Sequence, residues 1–336
     1  MKQKLCYFPP QTSKEGYKNP YSQNYQECLQ PYYDILNSKP QGIAQRLPLG
    51  TYFLFSSTKA DIYIINWLES VCFLRAGGVQ FLCAILGILF VILRKKKIIW
   101  MFHNIHPHQG DNFMSRILQN MLYKYANLII SHSKEAYEYA QKRAKCKVIY
   151  KCHPIKIIKT TETFKVDPCD VLIWGEILPY KGIVEFLDYI NNNHSQLKIR
   201  IVGKCNDKIL DTTIKSKCTP LIKYENRRAS FSELKCIINN SNYVLFPYIG
   251  NCVSSSGALI DSIAMGGNVM GPNRGAFNDL ASEKMCIVYN DYAEMLKLLN
   301  TPPQISKVDI NIFYKKNSWE SFGKFIYEEI SKQTCL

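Results

Sequence analysis

Residues that suit anion binding are concentrated in one segment, VSSSGALIDSIAMGGNVMGPNRGAF, which runs from Val253 to Phe277. Ser255 and Ser256 precede Gly257, and the apolar run from Ala258 to Met265 has the length of a short helix. The amide groups that open a helix, together with the helix dipole, favour negative charge. The segment therefore predicts that the hydroxyls and amides at this turn hold a phosphate or a sugar. The alternative is a capped core helix without a ligand.

A second candidate anion site lies in VLIWGEILPYKGI, from Val171 to Ile183. Its apolar run is typical of a buried strand that ends in Gly175, and Lys181 and Gly182 then open a helix. A helix start that carries a mobile positive charge suits a phosphate. The pattern predicts such a site, and the alternative is an ordinary turn with a solvated lysine.

Three histidines follow another apolar run in IIWMFHNIHPHQGDN, from Ile98 to Asn112. Imidazole is a common metal ligand. However, the spacing of His103, His106 and His108 fits no standard helical pair, and no cluster of cysteines or carboxylates accompanies them. The segment therefore predicts no metal site, and hydrogen bonding to a substrate or within the protein remains open for these rings.

The composition favours an anionic partner. The chain has 336 residues, which exceeds one typical domain and predicts two. Its formal net charge of +15 attracts nucleic acids, acidic lipids or phosphorylated ligands. Because zinc-finger spacing and RNA-binding signatures are missing from the sequence, nucleic acid is not predicted as a partner.

Cysteine usage predicts a reducing compartment. The 13 cysteines occur singly, without a C-x-x-C pair, and form a small share of a long chain. Disulfide scaffolds are denser in cysteine. The opening residues, MKQKLCYFPP, lack the apolar run of a signal peptide. We therefore expect a cytoplasmic protein with free thiols.

The segment from Val79 to Leu93, VQFLCAILGILFVIL, is apolar and is followed at once by RKKK. Fifteen residues are fewer than the roughly 20 that a membrane-spanning helix needs. The pattern favours a buried or half-buried helix. The alternatives are a helix that lies in a membrane interface with its basic end on acidic head groups, and a true span.

Strand-like and helix-like runs alternate along both halves of the chain, which predicts parallel sheets covered by helices. A polar stretch near residues 158–170 divides the halves. The fold class predicted is α/β, with two Rossmann-like doubly wound domains facing a cleft, at residues 1–158 and 159–316, and a closing helix at 317–336 that packs back across the domains. Ligands bind outside the carboxyl ends of such strands, so residues just after strands are the candidates.

The motifs together resemble those of the GT-B glycosyltransferases, and of family 4 in particular. GEILPYKG resembles the strand–loop–helix segment in which that family's lysine contacts the donor diphosphate. The serine–glycine turn followed by GPNRG resembles the donor-binding signature, and FHNIHPH resembles a loop of the acceptor domain. The resemblance covers most of the chain, from about Lys4 to Ile330.

The resemblance implies roles for particular residues. The nucleotide-sugar donor would contact a set of positions in the second half: Gly175, Lys181, Gly182, Ser255, Ser256, Gly257 and Asp261. Asp261 matches the second of two glutamates separated by seven residues, the one that holds the ribose. In the first half, His103 would lie beside the reacting sugar as the catalytic residue, and Asn104, His106 and His108 would contact the acceptor.

Two departures from the family pattern concern the donor site. The family usually places an arginine before the lysine, but here the nearest positions are Glu176 and Leu178, so Lys181 is the lone cation of its loop. The first of the two glutamates falls on Val253, which cannot ionise. The resemblance implies retention at the anomeric carbon, and this second departure leaves that outcome open.

The function predicted is transfer of a hexose from a nucleoside diphosphate sugar to a lipid-linked or oligosaccharide acceptor in cell-surface polysaccharide synthesis. No cofactor or metal is expected. An anionic membrane surface is the further partner considered, which would place the protein on the inner face of the plasma membrane. The alternative is a non-catalytic, membrane-associated protein that binds a sugar nucleotide with the same fold. An epimerase is disfavoured because no acid/base constellation stands out.

Overall fold

The chain forms two compact units. The computed structural model describes residues 2–10, 19–37, 47–105, 112–158, 162–250, 256–301 and 307–333. One unit contains Met1–His153 and Trp319–Leu336, and the other contains Pro154–Ser318. The junction therefore lies at His153 and Pro154, a few residues before the predicted boundary, and the last helix belongs to the first unit.

The described part of the first unit contains a six-stranded parallel sheet. Its strands are β1 (Lys4–Phe8), β2 (Asp34–Ile35), β3 (Ile62–Asn66), β4 (Lys97–Phe102), β5 (Leu128–Ser131) and β6 (Lys147–Tyr150). They lie in the order β2-β1-β3-β4-β5-β6. The helices of this part are α1 (Pro20–Leu29), α2 (Leu49–Ser56), α3 (Gly77–Leu93), α4 (Phe113–Tyr125) and α5 (Lys134–Gln141). A short 3₁₀ helix, Leu68–Phe73, precedes α3.

The described part of the second unit contains another six-stranded parallel sheet. Its strands are β7 (Cys169–Trp174), β8 (Ile199–Val202), β9 (Ile222–Glu225), β10 (Ser241–Leu245), β11 (Val269–Pro272) and β12 (Ile287–Tyr289), in the order β12-β11-β10-β7-β8-β9. Its helices are α6 (Ile183–Asn192), α7 (Lys208–Ser216), α8 (Phe231–Asn239), α9 (Gly257–Ala264), α10 (Gly275–Ser282), α11 (Tyr292–Leu299) and α12 (Lys307–Asn317). The closing helix of the chain, α13 (Trp319–Lys332), packs against α1 of the first unit.

Burial explains why these segments form strands. Every residue of β3 is buried, as is every residue of β4 after Lys97. Strands of a parallel sheet are covered on both faces and therefore appear as continuous apolar runs. Local capping sets the starts of the helices, since the Ser133 side chain accepts a hydrogen bond from the Ala136 amide and Ser230 accepts one from Glu233.

The predicted α/β class with two parallel sheets is confirmed. Three of the strands are difficult to recognise in the sequence: β2, β9 and β11. β2 has only two residues, β9 reads IKYE with alternate charged positions, and β11 reads VMGP between glycines and an asparagine. Each segment is too short or too polar to be predicted as a strand from its own sequence. Pairing with a neighbouring strand holds its backbone extended.

Helix α3 is half-buried. Its inner face packs against α2, where a Cβ added to Gly87 would lie 2.6 Å from the Phe53 ring. Its outer face is an apolar stripe whose side chains are 40% to 76% exposed: Val79, Leu82, Leu86, Leu89, Phe90 and Leu93. Across the part of the chain that the structure describes, no helix combines the length and the apolar character needed to cross a bilayer.

Three residues of the basic run after α3, Arg94, Lys96 and Lys97, bond to the protein. The Arg94 guanidinium donates to the Ser57 carbonyl at 3.0 Å, and Lys96 pairs with Asp61 at 2.7 Å. Lys97 donates to the Ile330 carbonyl at 3.3 Å. Lys96 pairs with a carboxylate, whereas the Arg94 guanidinium bonds to a neutral carbonyl and keeps its charge, so positive charge remains at this end of α3.

Candidate functional site

The predicted phosphate loop lies at the point where strand order reverses in the second sheet. The chain moves outward from β7 to β8 and β9 and then returns to β10 on the other side of β7. Ligands of such sheets bind outside the carboxyl ends of the strands at this reversal. Gly175 follows β7 directly, and Lys181 ends the 3₁₀ helix Pro179–Lys181 just before α6.

The Lys181 ammonium is buried, and the part of the chain that the structure describes offers it no hydrogen-bonding partner. The residue is only 7% exposed. Among the described residues its ammonium makes no hydrogen bond or ion pair, and it lies over the Tyr248 ring, with the nitrogen 5.5 Å from the centroid. Burial lowers the pKa of Lys181, while Tyr180 and Glu176 oppose that shift. A buried cation without a partner is costly in free energy, and an anionic ligand would relieve that cost.

Two glycines allow this lysine to occupy its position. Gly175 has φ +106°, and a Cβ added there would lie 3.2 Å from Lys181 Nζ and 3.7 Å from the Ala258 Cβ. Gly182 has φ +63°, and a Cβ added there would overlap the Pro247 carbonyl oxygen. Both positions require a left-handed backbone that glycine adopts readily. The space beside Gly175 therefore separates the ammonium from the start of α9.

Helix α9 begins at the predicted serine–glycine turn. The Ser256 hydroxyl caps it by accepting from the Leu259 amide at 3.4 Å, while Ser255 lies outside the described residues. Apart from its chain neighbours and its own helix backbone, a Cβ added to Gly257 would meet no atom of the described residues within 4 Å. The helix is tied to β7 because Trp174 Nε1 donates to the Ser262 hydroxyl at 2.8 Å. Its first turn and Lys181 are thus both held against the end of β7.

Asp261 lies one turn into α9, as predicted, and carries a carboxyl group without a hydrogen-bonding partner among the described residues. It is half-buried. Burial raises the pKa of Asp261 to about 7. A carboxyl group without a partner among the described residues is suited, once ionised, to accept hydrogen bonds from ligand hydroxyls.

His103 lies at the corresponding edge of the first sheet, directly after β4. Its ring is buried, and Nε2 lies 2.8 Å from Asn66 Oδ1. Asn66 Nδ2 donates to the Phe8 carbonyl at 2.9 Å, which leaves its oxygen as the acceptor. His103 Nε2 therefore carries a proton. This chain of bonds joins the ends of β1, β3 and β4, and β1 and β3 flank the reversal of strand order in this sheet.

A second histidine, which the sequence analysis did not single out, follows β5. His132 Nδ1 lies 2.8 Å from the Lys151 carbonyl and so donates to it. Burial, followed by the nearby His153, lowers the pKa of His132 to about 3. The ring is therefore neutral at physiological pH, and its Nε2 accepts from the Tyr21 hydroxyl at 2.8 Å. The hydrogen-bonding partners of His103 and His132 thus determine the tautomer of each ring.

Aromatic rings surround these histidines. Trp67, which has φ 51°, stacks on His103 with ring centroids 4.4 Å apart. Tyr21 contacts the rings of His103, His132, His153 and Trp319. Position directly after a strand could have identified three of these residues from the sequence: Trp67, His103 and His132. Tyr21 belongs to α1 and gives no such signal.

The predicted acceptor residues are only partly described. Asn104 is buried beside His103 at the end of β4. His106 and His108 lie outside the described residues, as does Val253. Within the described ranges no group of three or more histidines, cysteines or carboxylates is arranged to hold a metal ion.

Comparison of the whole chain with solved structures identifies its fold. The structure is similar to HepE from Anabaena in complex with UDP and glucose, with a TM-score of 0.69 and 15% identity over 98% of this chain and 100% of that one. It is also similar to the UDP-forming α,α-trehalose-phosphate synthase from Burkholderia vietnamiensis, with a TM-score of 0.66 and 9% identity over 100% of this chain and 99% of that one.

A glycosyltransferase from Rickettsia africae gives a TM-score of 0.64 and 12% identity, covering 98% of this chain and 99% of its own. No family model matches the sequence. No curated protein matches it either. At these identities the similarity shows the fold alone, which is GT-B.

The raised pKa of Asp261 leads to a test. An ionised carboxylate accepts hydrogen bonds from ribose hydroxyls, so we expect Asp261→Asn to weaken nucleoside diphosphate binding by about 10-fold at pH 8, or ~1.4 kcal/mol. The loss should shrink below about pH 7, where the wild-type carboxyl is protonated. Calorimetric titration at pH 6 and pH 8 measures both.

The stability of the free protein provides the control. Because the folded pKa of Asp261 is raised, the cost of its ionisation to the fold grows as the pH rises from about 4 through about 7. Asp261→Asn should therefore raise the melting temperature more at pH 8 than at pH 5. Lower stability with unchanged nucleotide affinity would instead remove Asp261 from the site.

Proposed function

We propose that this chain is a glycosyltransferase that moves a hexose from a nucleoside diphosphate sugar to a lipid-linked or oligosaccharide acceptor. The second unit would bind the donor, and the first unit would bind the acceptor. The observation that carries the proposal is the Lys181 ammonium, which is buried without a hydrogen-bonding partner among the described residues, beside Gly175 and at the reversal of strand order.

The donor side of the proposal rests on electrostatics. When the bond between the sugar and the diphosphate breaks, negative charge develops on the leaving phosphate. A preorganised cation and helix amides stabilise that charge without reorganising. We assign this role to Lys181 and the first amides of α9, with Ser255, Ser256 and Gly257 at the turn and Asp261 on the ribose. Gly175 leaves space beside the Lys181 ammonium for the diphosphate, and Gly182 contributes by letting the backbone turn against Pro247 into α6.

On the acceptor side we propose that His103 takes part in transfer. Its Nε2 proton is held by Asn66, so the ring orientation is set before any substrate binds. A fixed ring is suited to hydrogen-bond a sugar hydroxyl or to orient an acceptor hydroxyl. Asn104, His106 and His108 remain proposed contacts for the acceptor.

The finer parts of the proposal are supported by the sequence resemblance. They are retention at the anomeric carbon and a place in cell-surface polysaccharide synthesis. We propose that no metal or cofactor takes part, because Lys181 and the helix amides supply positive charge to the diphosphate. The solved structures in complex with UDP, UDP-glucose, or UDP and glucose make a uridine donor the first to test.

The experiment that tests the proposal measures nucleoside diphosphate released from a panel of sugar nucleotides, with and without an acceptor extract, for the wild type and Lys181→Met. We expect the variant to lose at least 10-fold in release and in donor affinity, equivalent to ~1.4 kcal/mol. Its melting temperature without ligand should rise, because a buried ammonium without a partner is removed.

Lys204→Met is the matched control, since Lys204 follows the neighbouring strand β8 but is exposed. It should leave both quantities unchanged. Donor binding without release under any acceptor condition would favour the non-catalytic binding protein instead. Unchanged kinetics in folded Lys181→Met would refute the assignment of Lys181.

For His103→Ala we expect turnover to fall by at least 10-fold while the dissociation constant for the donor changes less than about 3-fold, because the ring is proposed to act on transfer rather than on donor binding. Steady-state kinetics and donor titration separate the two. His194→Ala, at an exposed position of the second unit, should change neither. Equal losses in turnover and donor affinity would contradict the proposed role.

We also propose that the exposed face of α3 rests on an anionic membrane on the cytoplasmic side, as the apolar stripe and the adjacent positive charge suggest. The double substitution Leu86→Glu and Leu93→Glu should abolish binding to vesicles that contain phosphatidylglycerol, measured by sedimentation. Ile209→Glu, at another exposed apolar position, should leave binding intact. Equal binding of the wild type to neutral and acidic vesicles, or no binding, would count against the proposal.

A further inference from the structure

A second cation approaches the Lys181 loop from a different part of the second sheet. Arg274 lies between β11 and α10, and β11 is the neighbour of β10 in the sheet. Its Nη2 donates to the Tyr248 carbonyl at 2.6 Å. The ring of the same tyrosine lies beneath Lys181 Nζ. Two positively charged side chains therefore contact one residue, Tyr248, through its carbonyl and its ring.

Within the described residues neither cation forms an ion pair, although the Glu176 carboxylate acts on Lys181 at longer range. Arg274 has no ion pair there, and its Nε is buried without a hydrogen-bonding partner. The residue occupies the N-cap position of α10, and because its guanidinium has only donors it leaves the first amides of that helix uncapped. Like charges repel, and a buried N–H without an acceptor is costly. An anion with several oxygens would supply both the negative charge and the hydrogen-bond acceptors that these two side chains lack.

We infer that Arg274 is the second cation of the diphosphate site. The guanidinium is planar and presents parallel N–H groups that match two phosphate oxygens, whereas an ammonium acts as a point charge. Arg274 would thereby provide the charge that Glu176 and Leu178 leave out of the Lys181 loop. This inference rests on the proposed function, because it assigns a further residue to the same donor site.

The alternative is that Arg274 only anchors the chain after β10 through the Tyr248 carbonyl. The two roles differ in their dependence on phosphate. A diphosphate contact affects ligands with phosphate groups and leaves the bare nucleoside unaffected. An anchor affects the nucleoside and the diphosphate alike and lowers the stability of the free protein.

The test is calorimetric titration of UDP, GDP, ADP and dTDP into the wild type, followed by the best ligand and its nucleoside with each variant. For Arg274→Gln we expect a loss of at least 10-fold in affinity for the diphosphate and less than 2-fold for the nucleoside. Arg274→Lys retains a donor for the Tyr248 carbonyl and should fold like the wild type, yet lose several-fold in diphosphate affinity. Arg143→Gln, an exposed arginine of the first unit, removes the same charge and should change nothing.

The outcomes separate the two proposals. If the wild type binds no nucleoside diphosphate, the proposed function and this inference both fail. If the wild type binds and Lys181→Met weakens binding, but the Arg274 variants bind as the wild type does, the inference alone is overturned. Equal losses for nucleoside and diphosphate in Arg274→Lys would also overturn it. A double substitution that costs less than the sum of Lys181→Met and Arg274→Gln would support one shared ligand.

Discussion

The close approach between the loop after β7 and the chain after β10 is the constraint on which the candidate donor site depends. The Ile249 amide donates to the Tyr180 carbonyl at 2.9 Å, and any side chain at Gly182 would overlap the Pro247 carbonyl oxygen. Because the two segments are in contact, the Lys181 side chain lies over the Tyr248 ring and is buried from solvent. The same contact sets where α6 begins. A single glycine thus links backbone geometry, the burial of a charge and the position of the proposed phosphate.

The polar residues at the carboxyl ends of the strands differ between the two sheets in how far their charges and hydrogen bonds are satisfied. In the second unit, Lys181 and Arg274 form no ion pair among the described residues, and the Asp261 carboxyl group has no hydrogen-bonding partner there. In the first unit, His132 and Asn66 have partners whose chemistry fixes each proton. Unbalanced charge reduces stability and favours ligand binding. A satisfied network instead holds rings rigidly, which suits positioning. The proposed division of roles between the units follows this difference.

The sequence determined more than the fold class. Buried parallel strands have to be apolar along their whole length, so most strands were recognisable, and residues just after them were sound candidates. His103, Gly175 and Lys181 all lie at carboxyl ends of strands for that reason. Strands that form chiefly by pairing with a neighbouring strand were harder to predict from the sequence, and so were the residues that follow them. β9 and β11 are strands only because β8 and β10 lie beside them, and Arg274 therefore followed a strand that its own sequence did not reveal.

Tertiary structure alone decided which of these residues meet. No spacing in the sequence relates Tyr21 to His132, yet α1 brings the hydroxyl to 2.8 Å from the ring. Likewise, the sequence supplied Lys181, Tyr248 and Arg274 on three separate loops, and the order of strands in the sheet assembled them. The sequence by itself determined local hydrogen bonding and apolar periodicity, which act over a few residues. Burial, and with it the shifted pKa values of Lys181, His132 and Asp261, arises from side chains distant in the chain and appears only when the sheets have formed.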